Sequence, residues 1–166
     1  QLCAREIDLI KNASALHDIG KIAIDEKILN KPGRLTPEEF EVMKTHTSVG
    51  ADMLWSLKEY RNEPLMKYAW QICRYHHEKY NGKGYPEGLN GEEIPIAAQV
   101  VAICDVYDAL VSERSYKPAY THEKAVEMIK NGECGEFNPL ILECFYECAD
   151  KFKEIVEEEK KRNAYE

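Results

Sequence analysis

The 166-residue sequence has no apolar run of about 18–20 residues, no CxxC pair among its six cysteines and no excess of basic residues. Without such a run, or a signal-peptide pattern, we predict no membrane span in this sequence. Unpaired cysteines indicate reduced thiols in a cytoplasmic protein rather than a disulfide framework. The net charge of −8 argues against a dedicated partner among long nucleic acids, because such binding depends on basic side chains.

The alternation of apolar and polar residues that is typical of strands is also absent, whereas apolar residues recur at three- and four-residue spacing. Ile7 to Ile19 carry this spacing first, and Gly20 follows, which predicts a helix that ends there. Thr36, Pro37 and Glu39 form a capping-box pattern that predicts the next helix start. Further helices are predicted from Pro64 to His77, over 96–111, from Thr121 to Asn131, and from Pro139 into a charged helical tail at about 150–166. We therefore predict one all-α domain over 1–166, a helical bundle.

Residues 78–95 contain four glycines and two prolines between two predicted helices. This composition predicts a long ordered loop rather than a linker. Gly82 and Gly84 permit backbone angles that other residues avoid, and Pro86 fixes the direction of the chain after Tyr85. Because the loop directly follows a histidine pair, it could orient those side chains and form one wall of a cleft. A purely structural turn is the alternative.

Four of the five histidines and two aspartates stand at intervals along successive predicted helices: His17, Asp18, His46, His76, His77 and Asp105. Each alone has a simpler reading as an ordinary residue with one hydrogen bond. Asp105, however, lies in the apolar run AAQVVAICDVYDAL, where an unpaired buried carboxylate would be costly. The helices of a bundle can bring such side chains together around a metal. The fifth histidine, His122, is predicted to be a surface residue in a first helical turn.

The donor set of imidazoles and carboxylates, without obvious thiolates, favours iron, manganese or a similar ion with open positions over a structural zinc site. An aspartate beside a histidine can bridge two ions. Two ions about 3.5–4 Å apart lower the pKa of a bridging water and hold both oxygens of a phosphoryl displacement. The pattern therefore favours a binuclear centre for phosphoryl transfer.

Several strings of the sequence match a known family in the expected order over about residues 8 to 148. HDIGK at 17–21 resembles the signature of the HD superfamily of metal-dependent phosphohydrolases. HHEKYNGKGYP at 76–86, AICDVYDAL at 102–110, RSYK at 114–117 and GEFNP at 135–139 are similar to its HD-GYP branch. The resemblance implies an all-helical, cytoplasmic bacterial phosphodiesterase in second-messenger signalling. Its substrate would be cyclic di-GMP, hydrolysed to pGpG and in some members to GMP, or a mixed cyclic GMP-AMP dinucleotide.

The resemblance also assigns roles to individual residues. Asp18 would bridge two divalent ions, most often iron or manganese. His17 and Asp105 would complete one site, and His46, His76 and His77 the other. Lys21 would hold or polarise a phosphate in catalysis, and Arg114 and Lys117 would bind the substrate. Ordinary surface charge is the alternative for Arg114 and Lys117, and a cation at a helix C-terminus is the alternative for Lys21.

Two departures from the family pattern stand out. The family carries one more helix upstream, with a histidine for the first metal, and nothing in residues 1–16 replaces it. We expect the chain to be a piece of a longer protein that lacks its first helix here; a weak first site is the alternative. Asn81 and Asn138 also stand where the family commonly has aspartate.

The functional alternatives are a cyclic dinucleotide-binding regulatory module without catalysis, and another HD-type nucleotide phosphohydrolase. The expected partners are an upstream sensor or receiver domain and a second copy of the chain in a homodimer.

Overall fold

The computed structural model describes residues 2–113 and 118–163 of the chain. Within these ranges the regular structure is helical, and a single bridge between Asn81 and Asn90 is the only β pairing, which confirms the all-α prediction. The α-helices are α1 Ala4–Ser14, α2 Glu26–Leu29, α3 Pro37–Ser56, α4 Pro64–Tyr75, α5 Ile96–Val111, α6 His122–Lys130 and α7 Pro139–Asn163. Three short 3-10 turns cover Ile19–Ala23, Lys58–Tyr60 and Gly91–Glu93. None of the helices described is both long enough and apolar enough to cross a lipid bilayer.

The chain divides into two compact units, Gln1–Ala102 and Ile103–Glu166. The first unit has a core of small and branched apolar side chains from α1, α3, α4 and the start of α5: Ile10, Ala13, Leu54, Ala69, Ile72, Cys73, Ala97 and Val101. Alanines at such positions allow helix backbones to approach closely. The second unit is built on aromatic packing, with the ring of Tyr107 edge-on to Phe145 and Phe152.

Helix α3 begins where the capping signal predicts. The Glu39 backbone N–H donates to the Thr36 hydroxyl at 3.3 Å, and the Thr36 N–H donates to the Glu39 carboxylate at 2.7 Å. Two backbone donors that no helical carbonyl could accept are thereby satisfied. Thr121 caps α6 through its hydroxyl, which accepts from the Lys124 backbone N–H at 3.2 Å.

The prediction that the first helix runs to Gly20 is wrong. Helix α1 ends at Ser14, a turn over 15–18 follows, and Gly20 lies inside the 3-10 turn. The reason is tertiary packing: a Cβ at Gly20 would stand 1.9 Å from the His46 carbonyl oxygen and 2.6 Å from the Gly50 nitrogen. Only a glycine allows this segment to lie directly on the α3 backbone. Helix α4 also ends at Tyr75, slightly earlier than predicted, with His76 as its C-cap.

The loop 78–95 is ordered, as predicted. Gly82 has a φ of +75°, a conformation that favours glycine. Gly84 does not adopt a positive φ, so the predicted reason for glycine is wrong at that position. There the requirement is space, because a Cβ on Gly84 would lie 2.3 Å from the Lys79 nitrogen and 2.4 Å from Glu78 Cα.

Candidate metal centre

Five of the six predicted metal ligands belong to the first unit and come from three places in its fold. His17 and Asp18 lie in the turn after α1, His46 lies in the middle of α3, and His76 and His77 follow the last turn of α4. The contact of Gly20 with the α3 backbone brings the turn after α1 against His46. A close crossing at one glycine therefore joins two predicted ligand positions that are 29 residues apart in sequence.

His46, His76 and His77 form a compact cluster. One potential ligand atom from each lies within 4.8 Å of the corresponding atoms of the other two. The Nε2 atoms of His46 and His76 are 3.4 Å apart, and both side chains are buried. Three imidazoles at this separation could coordinate one metal ion.

Backbone carbonyls hold three of the histidine rings through Nδ1. Nδ1 of His17 donates to the Ser14 carbonyl at 2.7 Å, and Nδ1 of His46 donates to the Met43 carbonyl at 2.7 Å. Nδ1 of His76 is 3.0 Å from the Ile72 carbonyl and 3.1 Å from that of Cys73. Because a carbonyl only accepts, the proton of a neutral His46 or His76 ring is on Nδ1 and the lone pair is on Nε2. This arrangement is typical of metal-ligating histidines.

Asp18 lies between these Nε2 atoms and Lys21. Its Oδ2 atom is 3.2 Å from His17 Nε2 and 2.5 Å from Lys21 Nζ. Its Oδ1 atom is buried and has no hydrogen-bond partner in the part of the chain that the structure describes. That oxygen is 3.4 Å from His46 Nε2 and 3.8 Å from His76 Nε2.

The unpartnered oxygen tests whether a metal fits here. A buried carboxylate oxygen without a hydrogen bond is costly, and here it faces two imidazole lone pairs. A cation between these atoms would be attracted to all three of them. The donor set, imidazole nitrogen with carboxylate oxygen, suits a divalent transition metal. The residues therefore fit a metal ion.

The pKa values of the cluster favour metal-binding protonation states. Burial opposes ionisation of Asp18, but hydrogen bonds from His17 and Lys21 outweigh it and hold its pKa well below the usual value. Burial, reinforced by neighbouring imidazoles, lowers the pKa of His76 to about 4 and that of His77 to about 2. Burial also lowers the pKa of His46. At neutral pH the carboxylate is thus ionised and these three imidazoles are neutral.

The other predicted site residues stand differently. Lys21, with a side chain 39% exposed, pairs with Asp18 and also reaches solvent. Asp105 is half-buried on α5 in the second unit, and it stays a predicted ligand. Arg114 and Lys117 lie outside the described residues. His122 begins α6 as predicted, but its ring is half-buried, and Nδ1 is 2.8 Å from the Tyr107 hydroxyl.

Sequence analysis missed two features beside the cluster. Phe40 of α3 is 45% exposed and stands edge-on to Tyr85, with ring centroids 6.2 Å apart. Lys44 Nζ lies 5.5 Å from the Phe40 ring and 5.7 Å from the Tyr85 ring. Glu78 is buried within the loop that follows the histidine pair. An acidic residue directly after two candidate ligands was the available signal for it.

A comparison with family models matches residues 4–139 to the HD domain. The chain belongs to the HD domain family. The matched range contains the turn with His17 and Asp18, the helical histidines and Asp105.

Curated relatives of this HD domain include several phosphodiesterases. The chain is 43% identical over 150 residues to a cyclic di-GMP phosphodiesterase of Vibrio cholerae, which covers 90% of this chain and 30% of that protein. It is 42% identical over 151 residues to 3'3'-cGAMP-specific phosphodiesterase 2 of the same bacterium. This match covers 91% of this chain and 28% of that protein. A cyclic di-GMP phosphodiesterase of Thermotoga maritima is 41% identical over 151 residues. This match covers 91% of this chain and 40% of that protein. The chain therefore spans less than half the length of these relatives.

Proposed function

We propose that this HD domain is a metal-dependent phosphodiesterase that hydrolyses a cyclic dinucleotide. The observation that carries the proposal is the buried Asp18 Oδ1, which has no hydrogen bond and faces Nε2 of His46 and His76. The names of the relatives supply the substrate class, cyclic di-GMP or 3'3'-cGAMP. The acidic net charge fits a small phosphorylated substrate bound at a metal centre better than a long nucleic acid.

In this proposal two divalent ions, iron or manganese, would be bound, with Asp18 as a ligand of both. His46, His76 and His77 would hold one ion and His17 the other, and Asp105 is proposed as a further ligand. The geometry of the cluster supports the first set, because one ligand atom of each histidine lies within 4.8 Å of the others. Asp105 enters through the family resemblance alone. When bound, such ions supply positive charge at the phosphoryl oxygens and lower the pKa of water.

Lys21 has two tasks in the proposed reaction. Its ammonium group holds Oδ2 of Asp18 and so keeps that side chain ionised and oriented. Because the lysine side chain also reaches solvent, the same group could contact a phosphate oxygen of the substrate. Arg114 and Lys117 are proposed to bind the phosphates or bases from the segment after α5.

The proposed chemistry adds one water across a phosphodiester bond. The water oxygen bonds to phosphorus, the bond from phosphorus to the ribose 3′ oxygen breaks, and that oxygen takes up a proton. From cyclic di-GMP the product is linear pGpG, and a second addition of water gives two GMP. Exposed Phe40 and half-buried Tyr85 offer aromatic rings beside the histidine cluster for the bases.

A product assay tests the proposal. The protein is purified anaerobically with Mn²⁺ or Fe²⁺ and incubated with cyclic di-GMP, 3'3'-cGAMP and a dNTP, and the products are separated by chromatography. We expect linear dinucleotide from at least one cyclic substrate. Asp18→Asn should lose more than about 100-fold in turnover, because a metal-site charge is removed. Asp52→Asn, an exposed aspartate on α3, is the matched control and should retain activity.

The other outcomes decide between the alternatives. Binding of a cyclic dinucleotide without hydrolysis by the metal-loaded protein would favour a regulatory module. Hydrolysis of the dNTP alone would indicate another HD-type nucleotide phosphohydrolase. Either result would contradict the proposed activity.

A further inference from the structure

His77 differs from the other histidines of the cluster in what holds its ring. Those rings hydrogen-bond through Nδ1 to carbonyls of the preceding turn. Among the residues that the structure describes, no such bond is made by His77, which follows the end of α4. Its ring instead stacks on Tyr85, with centroids 4.8 Å apart and planes 28° apart. The ring also lies beside those of His76 and His46, with centroids 4.1 and 5.1 Å away. Tyr85 is the neighbour that the loop supplies, so the orientation of His77 depends in part on where the loop places Tyr85.

Tyr85 is fixed against the histidine from two sides. Its backbone N–H donates to the His77 carbonyl at 3.3 Å, which returns the loop to the end of α4. Its ring is edge-on to Phe40 of α3, and Lys44 Nζ lies 5.7 Å from the ring centroid. Tyr85 thus stands between α3 and the metal centre.

The carboxylate of Glu78 holds the part of the loop that follows Tyr85. It accepts three backbone hydrogen bonds: from Glu87 at 2.8 Å and Gly88 at 3.1 Å on Oε1, and from Leu89 at 3.0 Å on Oε2. Glu78 is only 3% exposed. Hydrogen bonds from amides to a charged acceptor are stronger than neutral ones, and in a buried place they fix the loop backbone firmly.

Close packing joins the same two parts of the chain. Gly84 lies so near the backbone of Glu78 and Lys79 that any Cβ there would overlap it. The residue before Tyr85 therefore packs on the backbone that directly follows the histidine pair, while the Glu78 carboxylate binds the loop at 87–89. This gives a continuous set of contacts from Glu78 through the loop and Tyr85 to His77.

We infer that Glu78 is a positioning residue, which orients the His77 imidazole toward the metal centre by holding the loop that carries Tyr85. The inference rests on the proposed metal ligands and is independent of the proposed substrate. We expect Glu78 to raise the affinity of the centre for metal, since a ligand that turns freely binds less tightly than an oriented one.

A double-mutant cycle on metal affinity tests the inference. The variants are Glu78→Gln, Tyr85→Leu and their combination, and the readout is Mn²⁺ binding by anaerobic titration calorimetry. Glutamine keeps the size of Glu78 but loses the charge and turns an N–H₂ toward one of the three backbone donors. Glu87→Gln is the matched control, because Glu87 is a carboxylate of the same loop whose side chain pairs with Arg74 at the surface.

We expect Glu78→Gln and Tyr85→Leu each to weaken Mn²⁺ binding about 10-fold, as outer residues of metal sites do. The double variant should also be about 10-fold weaker rather than about 100-fold, because both changes break one path. Glu87→Gln should bind Mn²⁺ like the unmodified protein. Hydrogen exchange of the amides at 87–89 should quicken in Glu78→Gln.

Three results would overturn the inference and leave the ligand set intact. The first is faster exchange at 87–89 with unchanged Mn²⁺ affinity, and the second is additive losses in the double variant. The third is Mn²⁺ affinity in Tyr85→Leu equal to that of the unmodified protein. This variant decides alone if Glu78→Gln does not fold. An unmodified protein that binds no Mn²⁺ would overturn the ligand set and the inference together. Mn²⁺ binding with the expected coupling, but no hydrolysis, would remove only the proposed activity.

Discussion

The candidate metal centre holds its histidines by two different means. His46 and His76 are buried in or at the end of α3 and α4, and carbonyls of their own helices fix their Nδ1 atoms. His77, one residue further along, is held by the ring of Tyr85 from a loop. Once the helices form, the first two rings need only local hydrogen bonds. The third needs a folded loop, so we expect its geometry to be the easier one to disturb.

Removal of one imidazole of each kind, one held by its helix and one held by the loop, should have the largest effect. His76→Ala and His77→Ala should both lose the bound metal, measured as metal content after anaerobic loading. In the metal-free protein, His76→Ala should lower the free energy of unfolding by about 2 kcal/mol, since it empties a buried site. His77→Ala should cost less than about 1 kcal/mol. Equal costs in urea unfolding would contradict the comparison.

Lys21→Ala should separate catalysis from metal binding. We expect turnover to fall about 100-fold, the cost of removing one donor to a developing charge. Metal content should fall much less, since the imidazoles of the cluster remain. Steady-state rates and elemental analysis of the same preparation give both values. If both fall equally, the role of Lys21 is to hold Asp18 rather than a substrate phosphate.

Gly20→Ala should disturb the helix-held part of the centre. Its new Cβ would lie within van der Waals overlap of the His46 carbonyl, so the turn with Asp18 must move away from α3. We expect a loss of about 1–3 kcal/mol in the free energy of unfolding. Ala23→Ser adds one atom at an exposed position of the same 3-10 turn and is the control. Unchanged stability in Gly20→Ala would show that the crossing is looser than described.

The smallest effect should come from the outer side of the loop. Arg74 donates to the Glu87 carboxylate at 2.7 and 2.8 Å across the surface. Arg74→Gln should change the free energy of unfolding by less than about 1 kcal/mol, because exposed ion pairs contribute little. Mn²⁺ affinity should stay unchanged. A loss of metal in this variant would indicate that the surface pair, and not the Glu78 carboxylate, holds the loop.

The sequence predicts the helices where the signals are local. Thr36 with Glu39, and Thr121, mark helix starts through side-chain hydrogen bonds that involve only the next turn. The end of α1 was mispredicted because Gly20 packs on the backbone of α3, and this contact joins segments far apart in sequence.

The candidate site divides along the same line. The spacing of His17, His46 and His76 on predicted helices was enough to propose a shared centre. The unpartnered oxygen of Asp18 and the three backbone amides that bind the Glu78 carboxylate depend on how the folded chain packs. No sequence pattern therefore reveals them.

The central claim is that these imidazoles and Asp18 surround a metal ion, and anomalous diffraction from Mn²⁺-loaded crystals tests it most directly. We predict a manganese peak at ligand distance from Asp18 Oδ1 and from Nε2 of both His46 and His76, with His77 also bound. Crystals in which manganese binds elsewhere, while these atoms contact only one another, would contradict it.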